Sequence, residues 1–318
     1  GEGGFALIDA IFRLCAGRAT IFMAGALGIG LLVPPLSSAL GPLLPTVVWT
    51  VLYLSLIRID WAEITAYRRR ARLVGAAVFF VLVASPFAMW AALLAIGPLV
   101  SDGFPTALML MAASSPYTAV AAVSFILGLD AAFALVILVM TTALMPFLLP
   151  LLIVDVLGFD VALDALGLMR RLALLVGIAL SLAVLTKIIA GAERLARHAF
   201  RIDGMIVVML VVFGVALMDG VTARLLLDPR HVFVILLLAF AANLALLAIG
   251  AAAFWKTGRR LALTLGYAAG NGNMAILLAV LPDDAHSDIA LYFALGQFPM
   301  FILPMALKPI FRRILVKP

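Results

Sequence analysis

Two short stretches interrupt long apolar runs with polar side chains and helix breakers. One is "GYAAGNGN", residues 266 to 273, with three glycines and two asparagines. The other is "ASSPYTAV", residues 113 to 120, with Ser114, Ser115, Pro116, Tyr117 and Thr118. Neither contains a carboxylate, an imidazole or a thiol, so neither reads as an acid–base pair, an activated nucleophile or a metal-ligand set. They offer neutral hydroxyl and amide donors and acceptors, which orient a ligand without burying a full charge.

The same residues break helices. An interruption inside a membrane leaves free C=O groups at the end of one half-helix and free N–H groups at the start of the next, each end equivalent to about half an elementary charge. Hydrocarbon has no water to bond them, so such backbone survives only against protein or along a wet cavity. The two breaks are therefore expected to face each other, with positive half-helix ends favouring an anionic group. Glycine, serine and proline also serve merely for close packing, and Pro116 by itself would be a kink. The pairing of two polar breaks in matching positions is what points to a binding site.

The elements that must position them are membrane helices. Of 318 residues, 66% are hydrophobic and 12% charged, with a mean hydropathy of +1.25; an ordinary soluble domain has about 45–50% apolar and about 25% charged residues. Spans of about 20 apolar residues fall near 19–38, 41–58, 72–96, 105–128, 131–155, 171–190, 204–220, 231–254, 261–281 and 288–308. With the first span starting in the cytoplasm, most cations, including the Arg68–Arg70 triplet, fall inside, and Arg170, Arg171, Arg224 and Arg230 are left outside. That bias sets both termini in the cytoplasm of a cell with the chain in its inner (plasma) membrane. Topology accounts for the net charge of +6, so no nucleic-acid partner is needed. Cys15 is the single cysteine and excludes a disulfide framework.

The expected fold class is an all-α membrane protein of ten transmembrane helices in two inverted five-helix repeats, 19–157 and 158–310. An interfacial tail precedes them at 1–18 and a cytoplasmic tail follows at 311–318. Five is an odd number, so the second repeat enters from the opposite side, and each repeat carries its break in its fourth span. Interrupted helices in corresponding positions of two halves mark a transporter's binding site.

"MAASSPYTAVAAVSFILGLDAAFALVILVMTTALMPFLLP" (111 to 150) with "LALTLGYAAGNGNMAILLAVLP" (261 to 282) resembles the bile acid/sodium symporter superfamily. That resemblance implies a panel of spans 1, 2, 6 and 7, a core of spans 3, 4, 5, 8, 9 and 10, and broken helices 4 and 9 crossing at their breaks. It implies transport by alternating access. The chain departs from the sodium-coupled pattern at every matched ligand position. A serine–asparagine pair after the first break becomes Ala121 and Ala122; a glutamate and a glutamine at the second become Gly266 and Gly270. A glutamine in span 3 becomes Val81, and hydroxyl ligands in span 5 become Ala134 and Leu138. Hard cations need oxygen ligands, so both sodium sites are expected to be lost, with no metal and no cofactor. Arsenite export fits poorly as well, because that branch relies on a cysteine in the first broken helix and span 4 has none.

Proton carriers are scarce. Asp219, at the outer end of span 7, reads as the most nearly buried acid, and Asp130 as a turn residue; both suit helix ends better than a relay. His198, His231 and His286 fall in or beside loops. No G-x-S-x-G, H-E-x-x-H, P-loop or dinucleotide fingerprint appears, so an enzyme is not expected. The sequence reads as a secondary transporter of a small organic, anionic solute, independent of sodium. Its expected contacts are Ser114, Ser115, Tyr117, Thr118, Asn271 and Asn273, with Tyr267 and Gln297 as second choices. The alternative is a non-transporting membrane receptor or sensor that binds a ligand in the same cavity. The partners implied are the small solute and the lipid bilayer; the sequence sets no oligomeric state.

Overall fold

The computed structural model describes residues 19–96, 103–282 and 287–316. The expected interfacial tail at 1–18, with Cys15, and the acidic turn at Asp283 and Asp284 lie outside them. The described residues are helical almost throughout; the one β-type feature among them is an isolated antiparallel bridge between Pro116 and Gly272. Among the described residues, seven stretches are long and apolar enough to cross a membrane: Pro34–Ile57, Ile64–Ala95, Ala131–Val156, Ala165–Ala190, Ala199–Leu227, Pro229–Ala253 and Ser287–Val316. The chain is a multi-pass membrane protein. Large apolar side chains such as Leu94, Leu166, Ile188, Ile189 and Leu237 are exposed along these helices, as lipid-facing surfaces require.

Prolines shape the helices locally. The helix Ala19–Leu32 ends at Val33, whose φ of −125° and ψ of 70° lie outside the helical region. Pro34 excludes its predecessor from that region and then starts the next helix, where its missing N–H costs nothing. Helical structure continues from there through Ile57, so the interruption sits earlier than the expected boundary between the spans 19–38 and 41–58. A π-helical turn spans Phe80–Ala84, and the Ser85 N–H reaches the Phe80 carbonyl five residues back. Pro86 has no N–H to return to Leu82, so the ladder widens just before it. At the other end of the chain, the helix from Gln297 runs to Val316, so most of the segment expected as a tail is helical.

Packing divides the chain into two compact units, each drawn from both halves of the sequence. One contains the residues up to Ile59 together with Gly177–Val232. Within it the Tyr53 and Thr186 hydroxyls bond at 2.8 Å, Arg58 Nε meets Asp203 Oδ1 at 2.6 Å, and the Ser38 hydroxyl donates to Asp219 Oδ1 at 2.6 Å. Asp219, expected to be the most nearly buried acid, is exposed, whereas Asp288 is buried; Asp219 sits just past the helix Ala199–Ala216 and binds a hydroxyl at that end, as a helix-end residue does.

The second unit, Asp60–Val176 with Phe233–Pro318, holds both interrupted helices. One is Gly103–Ala113 followed by Val120–Leu127; the other is Arg259–Gly270 followed by Met274–Leu278. The starts of their neighbours are tied by Asp130. Its carboxylate caps the helix Ala131–Pro150 by accepting from the Phe133 N–H at 2.9 Å and also accepts from the Tyr67 hydroxyl at 2.9 Å. Its own N–H donates to the Thr264 hydroxyl at 3.0 Å. Asp130 is thus a helix cap, the role its position in a turn suggests.

Candidate functional site

Each break has a local cause. Pro116 has no N–H, so Ser115 before it is driven out of the helical region. Gly270, Asn271 and Gly272 have weak helical preference, and Asn271 adopts φ −118°, ψ 67°. Freed from helix, the two segments bond each other. The Tyr117 N–H donates to the Asn271 carbonyl at 2.9 Å, and the Asn273 N–H donates to the Ser115 carbonyl at 2.7 Å. The remaining backbone donors are largely met locally: Ser114 to Met111 and Asn271 to Ala268, both at 3.3 Å, Val120 to Tyr117 at 3.0 Å, and Met274 to Gly272 at 3.0 Å. The Ser115 N–H donates to Met145 Sδ at 3.2 Å, from a third helix. The breaks thereby satisfy, inside protein, groups that lipid would leave unpaired.

Side chains add a second layer. The Tyr117 and Tyr267 hydroxyls bond at 2.8 Å with their rings edge to face. Asn271 Nδ2 donates to the Tyr267 carbonyl at 2.8 Å, and Asn271 Oδ1 accepts from Asn243 Nδ2 at 3.1 Å. Asn273 Oδ1 caps the short helix Met274–Leu278 by accepting from the Ile276 N–H at 3.4 Å. The Ser114 hydroxyl donates to the Met111 carbonyl at 2.8 Å. No side chain caps the start of Val120–Leu127, so its positive end remains the uncovered one.

Beside the second break lies a cavity with room for about one water molecule. Its wall includes Asn243, Gly270, Asn271, Gly272, Tyr292 and Gly296. Gly270 ends the helix Arg259–Gly270, so the carbonyl end of a helix dipole faces this space, and the local field favours a donor over an anion.

Of the eight expected contacts, Ser114, Ser115, Tyr117, Tyr267, Asn271, Asn273 and Gln297 are buried, and Thr118 is half-buried. Asn271 is the one among them that borders the cavity. Gln297 Nε2 donates to the Phe293 carbonyl one turn back at 3.1 Å. Asn243 is the residue that the breaks themselves do not reveal. It sits within "AFAANLALL" of the apolar helix Pro229–Ala253, and a polar side chain in such a span was the available signal.

The positions that the resemblance aligns with sodium ligands differ in shape as well as in chemistry. Gly266 and Gly270 lie directly against the helix Pro229–Ala253. A Cβ at Gly266 would overlap the Leu247 carbonyl and stand 2.8 Å from the Ala251 nitrogen; one at Gly270 would stand 2.5 Å from the Asn243 carbonyl. Backbone therefore fills the space a longer side chain would need. Val81 is buried in the π-helical turn, Ala134 and Leu138 are buried in the helix Ala131–Pro150, Ala121 is half-buried and Ala122 is exposed. Among the described residues, no three His, Cys, Asp or Glu side chains gather as a metal site.

Comparison with protein-family models returns no match, and comparison with curated proteins returns none either.

Proposed function

We propose that the chain is a secondary membrane transporter that moves a small organic, anionic solute by alternating access, without sodium. The observation that carries this reading is the antiparallel bridge between Pro116 and Gly272, which joins two interrupted helices back to back. Meeting breaks concentrate helix ends and polar groups at one point of an otherwise apolar unit, the arrangement by which carriers bind solutes near mid-membrane. The uncapped start of Val120–Leu127, beside half-buried Thr118 and Ala119, offers the positive end that an anionic group would seek.

The proposal includes ten spans. Beyond the seven long helices, the remaining three are the helix Ala19–Leu32 and the two interrupted ones, whose halves are individually too short to count. The two compact units support the panel and core assignments that a bile acid/sodium symporter resemblance implies: spans 1, 2 and 7 and the later part of span 6, from Gly177, group together, while Ala165–Val176 groups with most of the rest. Inverted repeats, residence in the inner (plasma) membrane and cytoplasmic termini belong to the same proposal. Sodium independence is supported by the backbone contacts that close the Gly266 and Gly270 positions.

The test is flux of a panel of radiolabelled small carboxylates into proteoliposomes, with and without a sodium gradient. Uptake with counterflow, unchanged by sodium, is the expected outcome. Saturable binding without counterflow would make the protein a receptor, and sodium-stimulated uptake would remove the coupling claim.

A further inference from the structure

We propose that the cavity beside Asn243 is a binding site for a single water-sized hydrogen-bond donor. The argument starts from an anchor that can only accept. The Tyr267 carbonyl receives Asn271 Nδ2 at 2.8 Å, which fixes the Asn271 amide with its oxygen turned towards Asn243. That oxygen must meet a donor, so Asn243 presents Nδ2 to it at 3.1 Å. Reversing either amide would oppose two oxygens. The end of this hydrogen-bond chain is therefore Asn243 Oδ1, and it has no partner among the described residues although the residue is only 5% exposed.

A buried acceptor left unpaired costs about 1–3 kcal/mol, and the space next to this one is sized to remedy it. The cavity admits about one water molecule. Asn243 Oδ1 lies on the Gly270 side of the cavity wall, 3.2 Å from where a Cβ on Gly270 would be. Most of the remaining wall is apolar, with Met111, Met274, Met300 and Pro299. The Gly270 end of its helix contributes negative potential. An occupant must therefore donate, must be about the size of one non-hydrogen atom, and cannot be an anion. Water and the ammonium ion share that chemistry.

The experiment uses the purified full chain in lipid nanodiscs. A high-resolution structure should show one compact density within hydrogen-bonding distance of Asn243 Oδ1. Thermal denaturation in ammonium, potassium and sodium chloride at equal ionic strength then separates the sources. A saturable rise in Tm confined to ammonium, and absent in Asn243→Leu, assigns ammonium; density without such a rise assigns water. An empty cavity with no ammonium response overturns the proposal, as does anion density there. If Asn243→Leu does not fold, the wild-type density and salt series decide by themselves. None of these readouts depends on solute flux, so the site stands or falls separately from transport.

Discussion

The main-chain N–H of Asn273 donates to the main-chain carbonyl of Ser115 at 2.7 Å, so two helices interrupted in distant parts of the sequence are joined backbone to backbone. The side chains of the same two residues do other things: Asn273 Oδ1 caps its own short helix, and the Ser115 hydroxyl has no protein partner. The joint depends on close approach, and close approach depends on what is missing at Gly272.

A Cβ at Gly272 would fall on the Met111 carbonyl and the Ser114 hydroxyl, well inside van der Waals contact. Because a backbone carbonyl cannot turn aside as a side chain can, Gly272→Ala must push the segments apart. Overpacking of this kind costs about 1–3 kcal/mol. We expect a fall of several degrees in Tm and loss of solute flux; a variant with wild-type Tm would show that the segments separate freely.

Asn271→Leu removes the donor to the Tyr267 carbonyl and the acceptor for Asn243 Nδ2 together. Each buried group left unpaired costs about 1–3 kcal/mol. The variant should remain helical by circular dichroism, melt earlier than wild type and lose saturable ligand binding. Ligand binding of wild-type affinity would place the solute away from this amide.

Introducing a carboxylate at the second break should not confer sodium coupling. In Gly266→Glu the new Cβ would collide with the backbone at Leu247 and Ala251. The expected outcome is poor recovery of folded protein and no saturable sodium stabilisation in a thermal-shift titration. A well-folded variant with low-millimolar sodium stabilisation would mean that the neighbouring helix yields.

Asp219 gives the opposite kind of prediction. It is exposed and accepts from the Ser38 hydroxyl, a bond that the amide oxygen of Asn can also accept. Asp219→Asn should leave flux and its pH profile in proteoliposomes unchanged. A shifted profile would reinstate this carboxyl as a proton carrier.

The helices were legible because long apolar runs leave few alternatives in lipid, and the breaks because glycine and proline clusters seldom fall in such runs by default. The bounds are less so: the spans expected at 19–38 and 41–58 put the first interruption between 38 and 41, whereas the steric rule at Pro34 sets it at Val33. Expected ligand contacts were read from residue type, yet Ser114 and Asn273 bond the backbone beside them, a choice that depends on rotamer and on a few tenths of an ångström. Asn243 stayed hidden because its role depends on Asn271, a partner on the next helix of the hairpin, and a lone asparagine in an apolar helix does not say which neighbour it faces. Likewise nothing in the glycines at 266 and 270 announced that a neighbouring backbone fills their space.

A joint made of main-chain atoms has a consequence for how tolerance to substitution is distributed. Saturation mutagenesis across residues 113 to 120 and 266 to 273 should give an uneven map, severe wherever a hydrogen stands in for a side chain and mild where a polar group bonds only its own turn. The residues that look most chemical would then be the more replaceable ones, and the inherited constraint would concentrate at positions with no side chain.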